Sequence, residues 1–268
     1  MKSAGKHMDG LSLHYYTVAD WDDKGSATEF SDEVYYSTLG KALEIEPVIR
    51  RHKAIMDSYD PDGKVDLIVD EWGTWFDEEP GTISGHLYQQ NTMRDAIVAA
   101  LTLNVFHRHT DRVKMTNIAQ IVNVLQSMIL TNEKEMVLTP TYHVFHMYRV
   151  HQGSKYLPTE CDCGERKLDD ERTVPDVSVT ASRAGDGAIH ISIVNPDLTT
   201  SRTLQIQTER LTPKKVTGVI LTTDNISDYN DFSHKTKVGN RPFNDFLVKN
   251  NSVKVELPAK SIVTLTLR

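Results

Sequence analysis

The sequence predicts two fold classes in series: an α/β unit with parallel strands, then an all-β antiparallel sandwich. Residues 9 to 151 alternate apolar strand-like runs with stretches of helical periodicity. From about residue 157 onward the chain holds six short β-branched runs separated by Gly, Pro, Asn and Asp. Alternating strand and helix implies parallel strands joined by crossover helices, whereas closely spaced alternating runs imply an antiparallel sandwich. The boundary falls near HQGSKYLP, which assigns residues 1–153 to the first unit and 154–268 to the second.

Each element has a local reason. DGLSLHYY (9–16) reads as the first strand, and after a polar loop residues 43–60 carry Ile45, Val48, Ile49, Ile55 and Met56 at roughly helical spacing. VDLIVDEW (65–72) is nearly continuous in apolar residues before its acids, as expected of a parallel strand covered on both faces. Asn91 is the expected N-cap of a helix reaching His109, with Met93, Ile97, Ala100, Leu101 and Val105 on one face. DRVKM (111–115) begins a third strand, and Thr139 followed by Pro140 opens a last helix ending near His151. The sandwich runs are VPDVSVTASR, AIHISIVN, RTLQIQTERL, VTGVILTT, SVKVELPA and SIVTLTLR.

Composition bounds the function. With 268 residues, 39% of them hydrophobic and 25% charged, the chain can bury a sizeable core. A net charge of -7 disfavours nucleic acid and anionic membranes as partners, and no apolar run approaches the ~20 residues that span a bilayer. The N-terminal residues lack the pattern of a signal peptide. Cys161 and Cys163 are one residue apart, the wrong spacing for common zinc or redox pairs, so they read as structural or incidental. His107 and His109 diverge on a helix, and His143 and His146 share a face without a third ligand; neither pair suggests a metal. No phosphate loop or nucleophile elbow occurs, and no cofactor is expected.

Chemistry concentrates at the strand ends. In βα barrels catalytic groups sit at the C-terminal ends of strands. Here the first strand ends in His14, Tyr15 and Tyr16, the second in Asp70 and Glu71 with Trp72 and Trp75 beyond, and the third leads to Asn117 and Gln120. Bland readings stand beside these: an acid at a strand end is often a cap or ion-pair partner, His14 and Tyr16 on one face pack as core, and Gln120 satisfies a loop backbone. For Glu71 the functional reading is favoured, because it follows four apolar residues in five and precedes two tryptophans. A carboxylate, a phenol, an imidazole and an amide beside a stacking wall suit a sugar.

The strings DGLSLHYYT, DEWGTW, YQQNTMRDAIVAALTLNVFHRHTDRVKM, NIAQIVNVLQSMILT and LTPTYHVFHMYRVHQG closely resemble the second half of the catalytic region of alpha-L-arabinofuranosidases of glycoside hydrolase family 51. VTGVILTT, YNDF and VELPAKSIVTLTLR resemble that family's C-terminal sandwich, while ECDCGERKLDDERT (160–173) fits less well. The resemblance implies a (β/α)8 TIM barrel followed by a β-sandwich or jelly roll. It also implies release of terminal non-reducing alpha-L-arabinofuranosyl groups from arabinan, arabinoxylan and their oligosaccharides, with retention of configuration. By the same resemblance Glu71 is the nucleophile, Tyr16 hydrogen-bonds it, His14 lines the pocket, Gln120 binds the sugar and Trp75 lines the substrate site. Family members are often hexamers, so a homo-oligomer is an implied partner state; the compartment stays open.

The order of motifs matches the three strands to barrel strands six, seven and eight. The family's acid/base lies in an Asn-Glu pair on the fourth strand, and the single such dipeptide here, Asn132-Glu133, sits in the polar turn TNEKE. The expectation is therefore a partial barrel plus sandwich that holds the nucleophile, lacks the acid/base, is inactive alone and is completed by an N-terminal barrel half, belonging to the same gene product or to a separate partner chain. A reading from another class is a non-catalytic carbohydrate-binding or assembly protein derived from such an enzyme.

Overall fold

The structure is a computed structural model that describes residues 1–168, 171–208 and 212–268. The last three residues of the predicted run RTLQIQTERL, and positions 169–170 within 160–173, lie outside the described residues. The first half contains β1 (Gly10–Thr17), α1 (Asp32–Leu43), α2 (Ile45–Tyr59), β2 (Asp66–Thr74), α3 (Met93–Arg108), β3 (Val113–Ile118), a hairpin of β4 (Ile129–Asn132) and β5 (Glu135–Leu138), and α4 (Pro140–Tyr148). β1, β2 and β3 form a parallel sheet in that order. Leu67, Val69 and Trp72 of β2 pack into a core with the helices, joined by Leu11, Leu13 and Tyr15 of β1. Ser12, His14 and Met115 lie exposed on the opposite face.

Two local readings are corrected. Helix α1 falls in what reads as a polar loop: Ser31 caps it, Asp32 and Glu33 fill its positive first turn, and Tyr35, Leu39 and Ala42 are buried. Gly40 and neighbouring hydroxyl residues dilute its periodicity, and its packing supplies the missing stability. Its Tyr35 hydroxyl donates to Pro196 O at 2.7 Å, and Leu198 N donates to the Tyr36 hydroxyl at 3.1 Å. The cap of α3 is Thr92 rather than Asn91, because Thr92 and Asp95 form a reciprocal capping box. Asn91 is buried and donates to Leu125 O at 3.2 Å.

The second half holds β6 (Lys155–Leu157), β7 (Glu165–Lys167), β8 (Thr173–Pro175), β9 (Ser178–Arg183), β10 (Ile189–Asn195), β11 (Arg202–Gln207), β12 (Val216–Thr222), β13 (Arg241–Phe243), β14 (Phe246–Lys249), β15 (Ser252–Leu257) and β16 (Ser261–Leu267). Six strands order as β13-β12-β16-β10-β9-β6 and three as β11-β15-β14, all pairs antiparallel. The two sheets share a core in which Ile191, Ile193, Val263 and Leu265 face Val253, Val255 and Leu257. The run 174–183 is split between β8, which pairs with β7, and β9 in the large sheet. Cys161 and Cys163 are joined by a disulfide.

The large sheet packs its other face on α3 and α4. Every residue of α3 from Met93 to Phe106 is consequently buried, since β2 covers one side and the sandwich another. A polar layer runs through this contact. His151 contacts the Ser182 and Ser192 hydroxyls at 2.7 and 2.8 Å, His107 contacts Thr180 Oγ1 at 3.1 Å, and Asn104 donates to Ser178 Oγ at 3.0 Å. Burial, with Arg108 nearby, pushes His107 down to about 4; burial, with His107 and His190 nearby, pushes His151 down to about 3.

Stability should therefore be acid-sensitive in a defined window. An unfolded histidine takes up its proton near pH 6.5, whereas these two resist it until about 4 and 3, so the unfolded state binds more protons in between. Their contribution is complete above pH 6.5 and is lost as pH falls through that window. Urea midpoints measured from pH 7 to pH 4 should drop by an amount worth on the order of 1–3 kcal/mol, and His151→Gln should flatten the slope. An unchanged slope in that variant would contradict the assignment.

Candidate active site

The site forms where β1 and β2 end side by side. In a regular strand Asp70 and Glu71 would point to opposite faces. β2 carries an extra residue here: opposite β1 it advances from Ile68 to Glu71 while its partner advances from Ser12 to His14, and opposite β3 it advances from Val69 to Trp72 against Thr116 to Ile118. Such a bulge re-aims side chains. His14 consequently sits directly across from Glu71.

Glu71 is anchored through one oxygen. The Tyr16 hydroxyl donates to Glu71 Oε2 at 2.8 Å, and His14 Nδ1 lies 3.5 Å from the same atom. Oε1 has no hydrogen bond among the described residues. Burial and the adjacent Glu71 carboxylate push the Tyr16 hydroxyl well above its usual range, so it remains a donor at neutral pH. Asp70 is held below the usual carboxylate range, chiefly by the Ser12 hydroxyl. An acid that stays ionised is unsuited to protonating a leaving group. The Glu71 side chain keeps 40% of its exposure, so the site is open on this side.

Aromatic residues extend outward from Tyr16. Its ring meets Trp75 edge-on at 5.1 Å, and Trp75 meets Trp21 edge-on at 5.6 Å. The expected wall of Trp72 and Trp75 is thus corrected: Trp72 is 1% exposed and packs between Phe106 and Phe145 in the helix-side core. Trp21, at 61% exposure, takes its place. A tryptophan in a polar loop gives no sign of which strand end it joins.

The loops carrying these rings are pinned from behind. Arg94, fully buried at the start of α3, lies 3.8 Å from both the Phe30 and Phe76 rings and donates to Ser26 O and Ala27 O. Burial lowers it to about 10, which leaves it cationic at neutral pH. Gln126 accepts from Thr74 N at 2.8 Å and packs over Gly73, whose φ of 137° favours glycine and where an added Cβ would lie only 3.2 Å from the Gln126 side chain. Gln126 and Arg94 escaped the sequence reading because buried positioning residues carry no local pattern.

Of the five residues singled out beforehand, Glu71, Tyr16, His14 and Trp75 are brought into one connected cluster. Gln120 is not part of it: it is exposed just beyond β3 and makes no hydrogen bond among the described residues. Asn132 and Glu133 occupy the exposed β4–β5 turn, Glu133 with φ of 50°.

Residues 70–261 match the family model described as the alpha-L-arabinofuranosidase C-terminal domain. The whole chain is 57% identical to an intracellular exo-alpha-L-arabinofuranosidase of Bacteroides ovatus and covers 52% of that protein. It superposes with a TM-score of 0.96, at 45% identity, on the crystal structure of the GH51 arabinofuranosidase from Xanthomonas axonopodis pv. citri, covering all of this chain and 54% of that one. The chain belongs to the family 51 alpha-L-arabinofuranosidases.

The chain spans about half the length of those two relatives. The AbfB arabinofuranosidase of Bifidobacterium longum, at 20% identity and a TM-score of 0.85, shares the fold over 99% of the chain.

Proposed function

We propose that this chain supplies the nucleophile side of a retaining alpha-L-arabinofuranosidase acting on terminal non-reducing arabinofuranosyl groups of arabinan, arabinoxylan and their oligosaccharides. On this reading β1, β2 and β3 are strands six, seven and eight of a (β/α)8 barrel, residues 1–153 belong to that barrel and 154–268 to the sandwich. The remaining strands and the acid/base come from the other half of a longer protein or from a partner. The observation that carries the reading is the one-sided anchoring of Glu71, with Tyr16 and His14 on Oε2 and Oε1 left without a partner.

The chemistry follows from that geometry. Glu71 Oε1 attacks the anomeric carbon as the bond to the leaving oxygen breaks, and that oxygen takes a proton from an acid about 5–5.5 Å away. The carboxylate becomes an arabinosyl ester in which Oε2 is the carbonyl oxygen. Water, deprotonated by the same second group, then attacks the anomeric carbon and returns the electron pair to Glu71, so configuration is retained. Tyr16 favours the ionised nucleophile before attack and stabilises the carboxylate leaving group afterwards. Trp75 and Trp21 offer ring faces and edges to the sugar.

The test is covalent trapping. An arabinofuranoside with an activated leaving group and a slowed second step should leave one glycosyl mass on the peptide containing Glu71. An adduct on any other carboxylate would remove the assignment. Saturable binding of arabino-oligosaccharides with no trapping and no turnover, when the other half is supplied, would instead favour a binding protein.

A further inference from the structure

The β2 bulge does more than present Glu71. It brings Asp70 to the same histidine: His14 Nε2 lies 3.2 Å from Asp70 Oδ1 while its Nδ1 faces Glu71 Oε2. Ser12 Oγ donates to that same Asp70 oxygen at 2.7 Å. We propose that Asp70 is a positioning residue: together with Ser12 it holds the His14 imidazole against Glu71 Oε2, so that Oε1 remains the reacting oxygen. The inference rests on the reading of Glu71 as nucleophile.

Three alternate residues of one strand make the clamp. Ser12, His14 and Tyr16 share a face of β1, and they reach Asp70, both carboxylates and Glu71 respectively. An ionised carboxylate is an acceptor only, so Asp70 Oδ1 accepts from Nε2–H and Glu71 Oε2 can accept only from Nδ1–H, and the two acids together fix the plane of the ring. A neutral ring without that partner exchanges tautomers and rotates. The Ser12 bond keeps Asp70 ionised, and therefore an acceptor, well into mildly acidic conditions. A bulge interrupts ladder pairing on both sides of β2, and the gain here is that two consecutive acids address one imidazole.

Two readouts test the proposal. In the chain with 15N-labelled histidine, His14 identified through His14→Asn, the Nε2 shift should report a bound proton at neutral pH. Asp70→Asn should move both ring nitrogens towards the exchanging average, and Ser12→Ala, which keeps both carboxylates, should move them less. Ring shifts unchanged in Asp70→Asn overturn the contact. In the active enzyme, Asp70→Asn should lower kcat about tenfold or more with KM within about threefold, and Asp70→Glu should restore part of it. A kcat within about twofold of the unaltered enzyme overturns the positioning role. Turnover that survives Glu71→Gln would instead sink the nucleophile, and the ring-nitrogen result would still decide the Asp70 contact on its own.

Discussion

Glu71→Ala is expected to abolish turnover of an aryl alpha-L-arabinofuranoside in the assembled enzyme, by about 10⁴-fold or more, corresponding to about 5.5 kcal/mol of transition-state stabilisation. The side chain is 40% exposed, so its removal opens a space at the rim rather than a cavity in the core. Folding should be unaffected, and sodium azide should enter that space. Azide attacking the anomeric carbon from the Glu71 side, as the aryl oxide leaves, would give the β-L-arabinofuranosyl azide. Detection of that product is the check. Full activity in Glu71→Ala would remove the residue from the chemistry.

Trp72→Ala should produce the largest loss of stability of any substitution beside the site. The ring is 1% exposed, meets Phe106 edge-on at 5.3 Å and stacks on Phe145 at 6.0 Å. Truncating a buried tryptophan costs about 3–5 kcal/mol, since the surrounding side chains close the cavity only in part. For a chain of this size that corresponds to a fall in Tm on the order of 10 °C. Trp72→Phe should cost much less. The indole Nε1 is buried and has no hydrogen-bond partner among the described residues, so replacing it removes an unfavourable desolvated donor while retaining most of the ring contact. Thermal unfolding of the two variants measures the difference; equal losses would show that volume alone decides.

The contrast between the two adjacent residues explains how much was legible in advance. Strand periodicity located β1 and β2, and an acid at the end of an apolar run located Glu71, because burial and strand direction are written in composition. The sandwich was legible for the same reason, as alternating runs at regular spacing. The bulge at Asp70 was not, since an extra residue in one strand becomes visible only when both neighbours are in place. The same limit assigned Trp72 to the wall instead of the core, hid Trp21, and left α1 inside a loop. Gln126, six positions beyond Gln120, was not legible: it accepts from Thr74 N and donates to Asp95 O in the buried interior, and nothing in its local pattern sets it apart from Gln120.

Helix α3 has a consequence for how this protein comes apart. Its fourteen consecutive buried residues, Met93 to Phe106, are covered by the parallel sheet on one flank and by the sandwich on another. A helix with no solvent-facing side cannot keep one neighbour when it loses the other without baring apolar surface. The parallel sheet with its helices and the antiparallel sheets are therefore two architectures within one folding unit. Heat or denaturant should dismantle both in one cooperative step, and the sandwich acts as the back wall of the unit that presents Glu71.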